Sequence, residues 1–439
     1  MLAARVPISV VAKSAIPGKD YVIAGWVDTV RVHGRLVFVI VRDRTGSIQV
    51  VAKKNISEEA WKAARELSPE SVVVVLGTLV ESKAAPLGRE ILAKKIEVLS
   101  EADPLPIEVK DYTKTVLAKR LDWRYLDLRH PRNLAIFLIE AEIARAAREW
   151  FYENGFVEIF TPKIVGSATE GGAEVFSIVY FEKPAFLAQS PQLYKQMGVI
   201  AGFERVFEIG PAFRAEPHHT TRHLTEYTSV DFEMGFIEDF KDVARTAFNV
   251  IRYMIEAVLT RYKDIIDEYF PEALENVPRE PFWIDIREAY KLLRGEGVNV
   301  EEGGDLSPEA ERKLGEIVQR EYGNPFTIVT GYPWSVRPFY TMRDPKDPKY
   351  TLSFDILLRG LEVATGGQRE HRHDVLVEQV REKGLNPQSF RWYLDMFRFG
   401  APPHGGAGIG LERVVMQTLG LPNIREARLL PRDPERLVP

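Results

Sequence analysis

The chain has no cysteine. That excludes a disulfide framework, a Cys-ligated zinc or iron–sulfur site, and a thiolate nucleophile. It also lacks any run of the roughly 18–20 apolar residues that a membrane span needs. The N-terminal Met1-Leu2-Ala3-Ala4-Arg5 leads into a short apolar stretch broken at Lys13, too short for a signal peptide. The expectation is a soluble, cytoplasmic chain with no membrane partner. Neither sign of charge dominates. The net charge is −5 and the pI about 6.0, so composition does not advertise a nucleic-acid binder. The distribution is less even. Residues 1–105 hold 15 Lys and Arg against 12 Asp and Glu, which leaves −8 for the remainder. What is present is ordinary globular material: 439 residues, 45% hydrophobic and 28% charged. At roughly 100–200 residues per domain, two to four domains are expected.

The first hundred residues read as β-structure. Tyr21–Arg31, Arg35–Arg42, Ser47–Ala52, Ser71–Val80 and Arg89–Leu99 are rich in Val, Ile and aromatics. Turn signals at His33-Gly34 and Thr45-Gly46 separate the first three. A helix, Ser57–Leu67, follows the third strand, with Ser57 suited to cap it. Five strands with one helix after the third is the element order of an OB-fold barrel. This domain is assigned to 1–104, with a proline-bearing hinge over 105–130 and a second domain over 131–439. In the second domain Arg132–Asn154 is an amphipathic helix closed by Gly155, and Phe156–Ile164 reads as a strand ending near Pro162. Arg205–Glu216 and Leu224–Met234 form an antiparallel hairpin with a basic tip. Helices are expected over Phe240–Tyr262, Pro308–Tyr322, His373–Lys383 and Ser389–Arg398. Strands are expected over Leu352–Leu358 and Gly360–Ala364. A Gly-rich stretch, Gly405–Gly410, opens a last helix at Leu411.

Four constellations carry chemistry. Arg214 and Glu216 alternate onto one face, with Arg222-His223 beyond the loop. Guanidinium forks of this kind bind phosphate bidentately, although a cross-strand Arg–Glu pair explains the pattern equally well. Asp355 and Glu362 lie on adjoining strands and suit Mg²⁺, which takes one or two carboxylates plus substrate oxygens. Gly366–His373 is dense in charge and reads as a solvated loop. Its His-x-His, with His218, His219 and His223, raises a zinc-hydrolase alternative, but no His-Glu-x-x-His spacing supports it. The stretch Gly405–Arg413 is neither a dinucleotide fingerprint nor a Walker A motif. It does allow close backbone approach to a planar base, and it aims Arg413 at phosphate.

The order of these elements is more specific than any one of them. A strand with Pro162, a Phe213-Arg214-Ala215-Glu216 hairpin, and Gly406-x-Gly408-x-Gly410-x-Glu412-Arg413 resemble motifs one (155–164), two (205–234) and three (405–419) of class II aminoacyl-tRNA synthetases. An OB barrel ahead of the catalytic domain marks the aspartyl, asparaginyl and lysyl subgroup. Ala168-Thr169-Glu170-Gly171-Gly172, Gln189–Lys195 and Gly366-Gly367-Gln368-Arg369 make the chain similar to aspartyl-tRNA synthetases of the archaeal/eukaryotic type. The implied fold is α+β: an OB barrel plus an antiparallel-sheet catalytic domain flanked by helices.

The resemblance implies the following roles. Lys195 and Arg369 grip the aspartate side chain, Glu170 and Gln192 the ammonium side, and Leu193 and Tyr194 belong to the same segment. Thr365 contacts substrate and metal. Arg214 bridges the α-carboxylate and α-phosphate. Tyr227 stacks on adenine with Arg413 on its other face. Ala215, Glu216, Arg222, His223, Leu224, Glu362, Gly410, Leu411 and Glu412 complete the ATP site, with Arg214 and Arg413 catalytic. Glu362, Thr365 and Asp355 hold Mg²⁺. In the barrel Phe38, Gln49 and Pro86 meet the anticodon, and Pro86 goes with strict rather than relaxed tRNA choice. The implied partners are L-aspartate, ATP, tRNA-Asp and a second copy of the chain. The alternatives are an asparaginyl enzyme, against which Asp231 speaks, an enzyme that also charges tRNA-Asn, and a non-catalytic paralogue that only binds RNA.

Overall fold

The computed structural model describes residues 1–167, 174–217 and 220–439. Glu170, His218 and His219 therefore lie outside the described residues. The chain divides into two compact units, Met1–Leu134 and Ala135–Pro439.

The first unit is a closed barrel of five strands: β1 (Asp20–His33), β2 (Leu36–Asp43), β3 (Gly46–Lys53), β4 (Val72–Glu81) and β5 (Arg89–Ser100). Their order is β1-β2-β3-β5-β4, and a parallel pairing of β3 with β5 closes it. Strict alternation makes the barrel. Val37, Val39 and Val41 of β2 point into the core, while Phe38 and Ile40 stay half-buried on the outer face. The helix Glu58–Glu66 packs its Ala60, Trp61 and Ala64 onto this core, and the Ser57 hydroxyl accepts from Ala60 N. Residues 105–130, expected as a hinge, belong to this unit and contain helical turns at Leu117–Asp122 and Arg124–Asp127. Buried Arg120 and Arg124 both donate to Asp127, at 3.3 and 2.6 Å.

Among the described residues the second unit has eleven strands: β6 (Val157–Glu158), β7 (Ile164–Val165), β8 (Ser177–Tyr180), β9 (Lys183–Leu187), β10 (Arg205–Phe213), β11 (Glu226–Gly235), β12 (Phe282–Asp285), β13 (Phe326–Thr330), β14 (Ser353–Leu358), β15 (Leu361–Gln368) and β16 (His404–Gly410). Eight form one sheet in the order β12-β13-β14-β15-β16-β11-β10-β6, antiparallel except at its two ends. The others form a small sheet, β7-β9-β8. Helices Pro131–Glu153 and Phe240–Arg261 cover one face of the large sheet. Ile139, Ile143, Ile251 and Met254 meet Val230, Phe232, Ala407 and Ile409 there. The alternate residues of the same strands turn to the opposite face, where the chemistry is.

Two elements differ from expectation. Phe156–Ile164 is not one strand; its ends, β6 and β7, join different sheets, because Pro162 cannot donate to a ladder. Gly366–Arg369 is not a solvated loop. β15 continues through Gln368, and Arg369 and Glu370 are buried. The glycine pair is there for packing rather than turning: a Cβ on Gly366 would sit 2.6 Å from the Phe354 ring.

The helix Pro308–Tyr322 is locked to the β14–β15 turn by backbone contact. A Cβ on Gly315 would lie 2.4 Å from Gly360 N. Gly315→Ala adds helix propensity of up to about 1 kcal/mol. The overpacking penalty of about 1–3 kcal/mol should outweigh it. Urea unfolding should show a net loss of stability, and a gain would contradict the contact.

Candidate active site

Three strands lay a bare backbone floor. Gly406, Gly408 and Gly410 of β16 pair with Glu233, Asp231 and Ser229 of β11, and Gly367 and Thr365 of β15 flank the first two on the other side. Side chains on β16 would fill the space above the sheet. At Gly406 a Cβ would collide with the Glu233 carboxylate at 2.1 Å. Above this floor lies a cavity of about 350 Å³.

One end of the cavity carries cations. The β10–β11 hairpin continues past Phe213, since Arg214 N donates to Thr225 O at 2.9 Å. This sets the half-exposed Arg214 guanidinium 5.6 Å from the centre of the Tyr227 ring and 4.0 Å from Glu216. Arg222 Nη1 donates to Glu311 at 2.9 Å, and Arg413 Nη1 donates to the Glu362 carbonyl at 2.8 Å. Glu412 is buried; it accepts from Thr228 N and from Arg428, at 2.9 and 2.7 Å, and so holds the first turn of the last helix to β11. Burial pushes its carboxyl up, against the pull of Arg428.

Beside them is an acidic group. A one-residue bulge between Ile356 and Leu357 of β14 and their partners leaves Leu357 opposite Glu362. Without it Glu362 would face the helices; with it Glu362 joins Thr365 on the cavity wall. Asp355 lies directly opposite Thr365. Arg337 donates to both, at 2.7 and 3.1 Å, with its guanidinium 3.8 Å over the Tyr332 ring. Asp355 Oδ1 is buried and without a hydrogen-bond partner among the described residues. Burial and the charge of Glu362 raise the Asp355 carboxyl, against Arg337. Burial and Glu362 likewise push Glu311 up to about 7, against Arg222.

The other end is floored by four buried charges. Helix Gln192–Gly198 turns Gln192, Lys195 and Gln196 to one side. Lys195 Nζ donates to Asp231 Oδ1 at 2.8 Å and lies 3.5 Å from Glu233. Arg369 Nε donates to Glu233 at 3.0 Å, and its Nη2 to the Gln192 side-chain oxygen and Gly406 O, at 3.1 and 2.9 Å. Burial alone would raise Glu233; Arg369 and Lys195 outweigh it and hold the carboxyl low. Asp231 Oδ2 is buried with no hydrogen-bond partner among the described residues. Beneath, Gln196 bridges Tyr393 and His404 Nε2 at 2.9 and 2.8 Å, while His404 Nδ1 lies 2.8 Å from Pro402 O. The carbonyl requires Nδ1 to carry the proton, so Nε2 accepts from Gln196.

Of the residues singled out in the sequence, Gln192, Arg214, Glu216, Arg222, His223, Leu224, Tyr227, Glu362, Thr365, Arg369, Gly410, Glu412 and Arg413 line one cavity. Others lie off its wall. Lys195 is fully buried behind it, and Asp355 sits behind Arg337. Leu193 and Tyr194 leave the helix in other directions, Leu193 into a separate core and Tyr194 onto Trp392 at 5.6 Å. Ala215 donates its N–H to Glu174 O, and Leu411 is in the sheet core. Sequence reasoning did not place Arg337, Tyr340, Ser229, Glu233 or Glu311. Only the alternation of Tyr227, Ser229, Asp231 and Glu233 along β11 could have shown two of them. In the barrel Phe38 and Gln49 share the outer face, where Gln49 donates to Glu90 at 2.7 Å, and Pro86 is exposed in the β4–β5 loop.

Removing Lys195 strands the buried Asp231 carboxylate and leaves Glu233 with Arg369 as its cation. Lys195→Met should cost about 3–5 kcal/mol in denaturant unfolding; a loss below about 1 kcal/mol would show that the four charges are not one unit. His404 is held below its usual 6.5, chiefly by burial. The unfolded chain then takes up a proton that the folded chain refuses, so this contribution is complete above pH 6.5 and is lost as pH falls through it. His404→Gln should show a shallower fall in unfolding free energy below that pH. Equal slopes would refute the buried neutral imidazole.

Residues 117–434 match the family described as tRNA synthetases class II (D, K and N), and residues 21–99 match the OB-fold nucleic acid binding domain. The chain is 50% identical to an aspartate–tRNA(Asp/Asn) ligase of Aeropyrum pernix, over 98% of each chain. It is 47% identical to an aspartate–tRNA(Asp) ligase of Pyrococcus abyssi, over 96% of this chain and 97% of the relative. Among solved structures, asparaginyl-tRNA synthetase from Pyrococcus horikoshii complexed with asparaginyl-adenylate aligns with a TM-score of 0.94, at 37% identity and over 99% of both chains. The cavity, its glycine floor and the barrel thus sit in a chain that belongs to the class II tRNA synthetases of the D, K and N group, a family of ATP-dependent ligases.

Proposed function

We propose that this chain activates L-aspartate with ATP and transfers it to tRNA-Asp. The observation that carries the amino-acid assignment is the buried set Lys195, Asp231, Glu233 and Arg369 at the closed end of the cavity. A substrate carboxylate beside Arg369 and Lys195 brings the two cations a further counter-charge, whereas an amide brings none. Asp231 favours the same choice. Its short side chain draws the carboxylate back onto Lys195, and one more methylene would carry that negative charge toward the substrate. Gln192 and Asp231 Oδ2 offer acceptors for the ammonium group, with Glu170 assigned the same role by resemblance.

ATP fits the other end. Tyr227 supplies a ring for adenine, Arg413 and Arg222 the polyphosphate contacts, and Arg214 the α-phosphate, with Glu216 and His223 beside them. The aspartate carboxylate attacks the α-phosphorus and pyrophosphate leaves. The terminal ribose hydroxyl of the tRNA then attacks the aspartyl carbonyl, and AMP leaves. A carboxylate is already a nucleophile at neutral pH, so the first step needs positioning and charge stabilisation rather than a base. Mg²⁺ suits Asp355, Glu362 and Thr365: Asp355 has a buried oxygen without a hydrogen-bond partner among the described residues, and two carboxylates plus phosphate oxygens are what the ion takes. When bound it would neutralise charge on the phosphates.

The barrel's outer face supports anticodon binding, with Phe38 free of the core to stack on a base and Gln49 beside it. Exposed Pro86 supports strict choice of tRNA-Asp, since proline rigidifies its loop and removes a donor. Exposed apolar residues along segment 157–164, namely Val157 of β6, Phe160 and Ile164 of β7, support a twofold homodimer. No helix among the described residues is long and apolar enough to cross a membrane, and a cytoplasmic location goes with the family.

ATP–pyrophosphate exchange with each amino acid tests the assignment. Aspartate should drive it and asparagine should not; the reverse would identify an asparaginyl enzyme, and exchange with neither a non-catalytic paralogue. Charging of tRNA-Asp and tRNA-Asn transcripts should favour tRNA-Asp, and comparable kcat/KM values would overturn the reading of Pro86.

A further inference from the structure

Arg222 is held by a carboxylate from a distant part of the chain. Its loop is strapped down by Ile424 N donating to Thr221 O at 2.9 Å, and Arg222 N donates to Thr220 Oγ1 at 3.3 Å. The guanidinium is fixed at one corner, Nη1 to Glu311 Oε2 at 2.9 Å, while its Nε is buried without a hydrogen-bond partner among the described residues. Glu311 is 6% exposed, on the first turn of helix Pro308–Tyr322. That helix cannot slide, because Gly315 and Gly360 meet backbone to backbone at the β14–β15 turn. The hairpin that carries Glu362, the brace of Arg413, therefore also fixes the place of Glu311, the brace of Arg222.

We propose that Glu311 is a positioning residue for the nucleotide, holding Arg222 so that its remaining donors serve the polyphosphate of ATP. The inference rests on the assignment of this end of the cavity to ATP. A guanidinium that is already oriented loses less side-chain freedom when phosphate arrives. Glu311 acts through Arg222 and does not itself touch the nucleotide.

Calorimetric binding of Mg·ATP to the full chain reads this without the amino acid. Glu311→Ala should weaken binding by about tenfold, the worth of one charge-assisted hydrogen bond. Glu311→Gln keeps an oxygen for Arg222 and the shape of the side chain, and should weaken it less. In an Arg222→Ala background, Glu311→Ala should add nothing. In exchange assays the KM for ATP should rise while the KM for aspartate stays within about twofold. Unchanged Mg·ATP binding in both Glu311 variants, an undiminished loss in the Arg222→Ala background, or an equal rise in both KM values would each overturn the inference. A wild-type chain that does not bind Mg·ATP would instead refute the nucleotide assignment, and this inference with it.

Discussion

Four charges buried beneath one sheet face, Lys195, Asp231, Glu233 and Arg369, constrain most of what surrounds them. Charges out of water are tolerable only when each is paired and held by further hydrogen bonds. Helix Gln192–Gly198 must therefore dock with Lys195 inward, and β15 must run on through its glycine pair to deliver Arg369. β16 must be bare at Gly406, because the Glu233 carboxylate occupies the place of a side chain there. The glycine pattern of motif three thus has two uses: room for the carboxylates, and an open floor for the substrate.

The cavity is organised as two ends with different electrostatics. The end proposed for the amino acid is nearly neutral by itself, since two cations face two carboxylates. The end proposed for the nucleotide keeps Arg214 half-exposed and braces Arg222 with the Glu311 carboxylate and Arg413 with the Glu362 carbonyl. Between them Asp355, Glu362 and Glu311 crowd together, which is why burial and mutual repulsion raise Asp355 and Glu311. A divalent cation would relieve that crowding.

Much of this was legible in the sequence. The barrel strands, the Ser57-capped helix and the β10–β11 hairpin followed from period-two alternation and turn residues. The order of the three motifs then brought most of the cavity residues together. What was not legible is instructive. Gly366–His373 reads as a solvated loop, yet its glycine pair serves close packing against Phe354 and Ser353, which no local pattern reveals. Lys195 reads as a substrate contact, and its seat behind the wall depends on carboxylates 36 and 38 positions away. Arg337 and Glu311 come from segments with no motif; only the packing of a helix on a hairpin turn brings Glu311 to Arg222, and only the fold brings Arg337 onto Asp355 and Thr365.

On the proposed function, the four-charge cluster seats the side-chain carboxylate of the substrate. A crystal structure of the full chain with a non-hydrolysable aspartyl-adenylate analogue tests it most directly. The account expects the side-chain carboxylate within hydrogen-bond distance of Arg369 and Lys195, with the ammonium toward Gln192 and Asp231 Oδ2. An analogue bound with its side chain away from Arg369, and the four charges still paired only with one another, would contradict it.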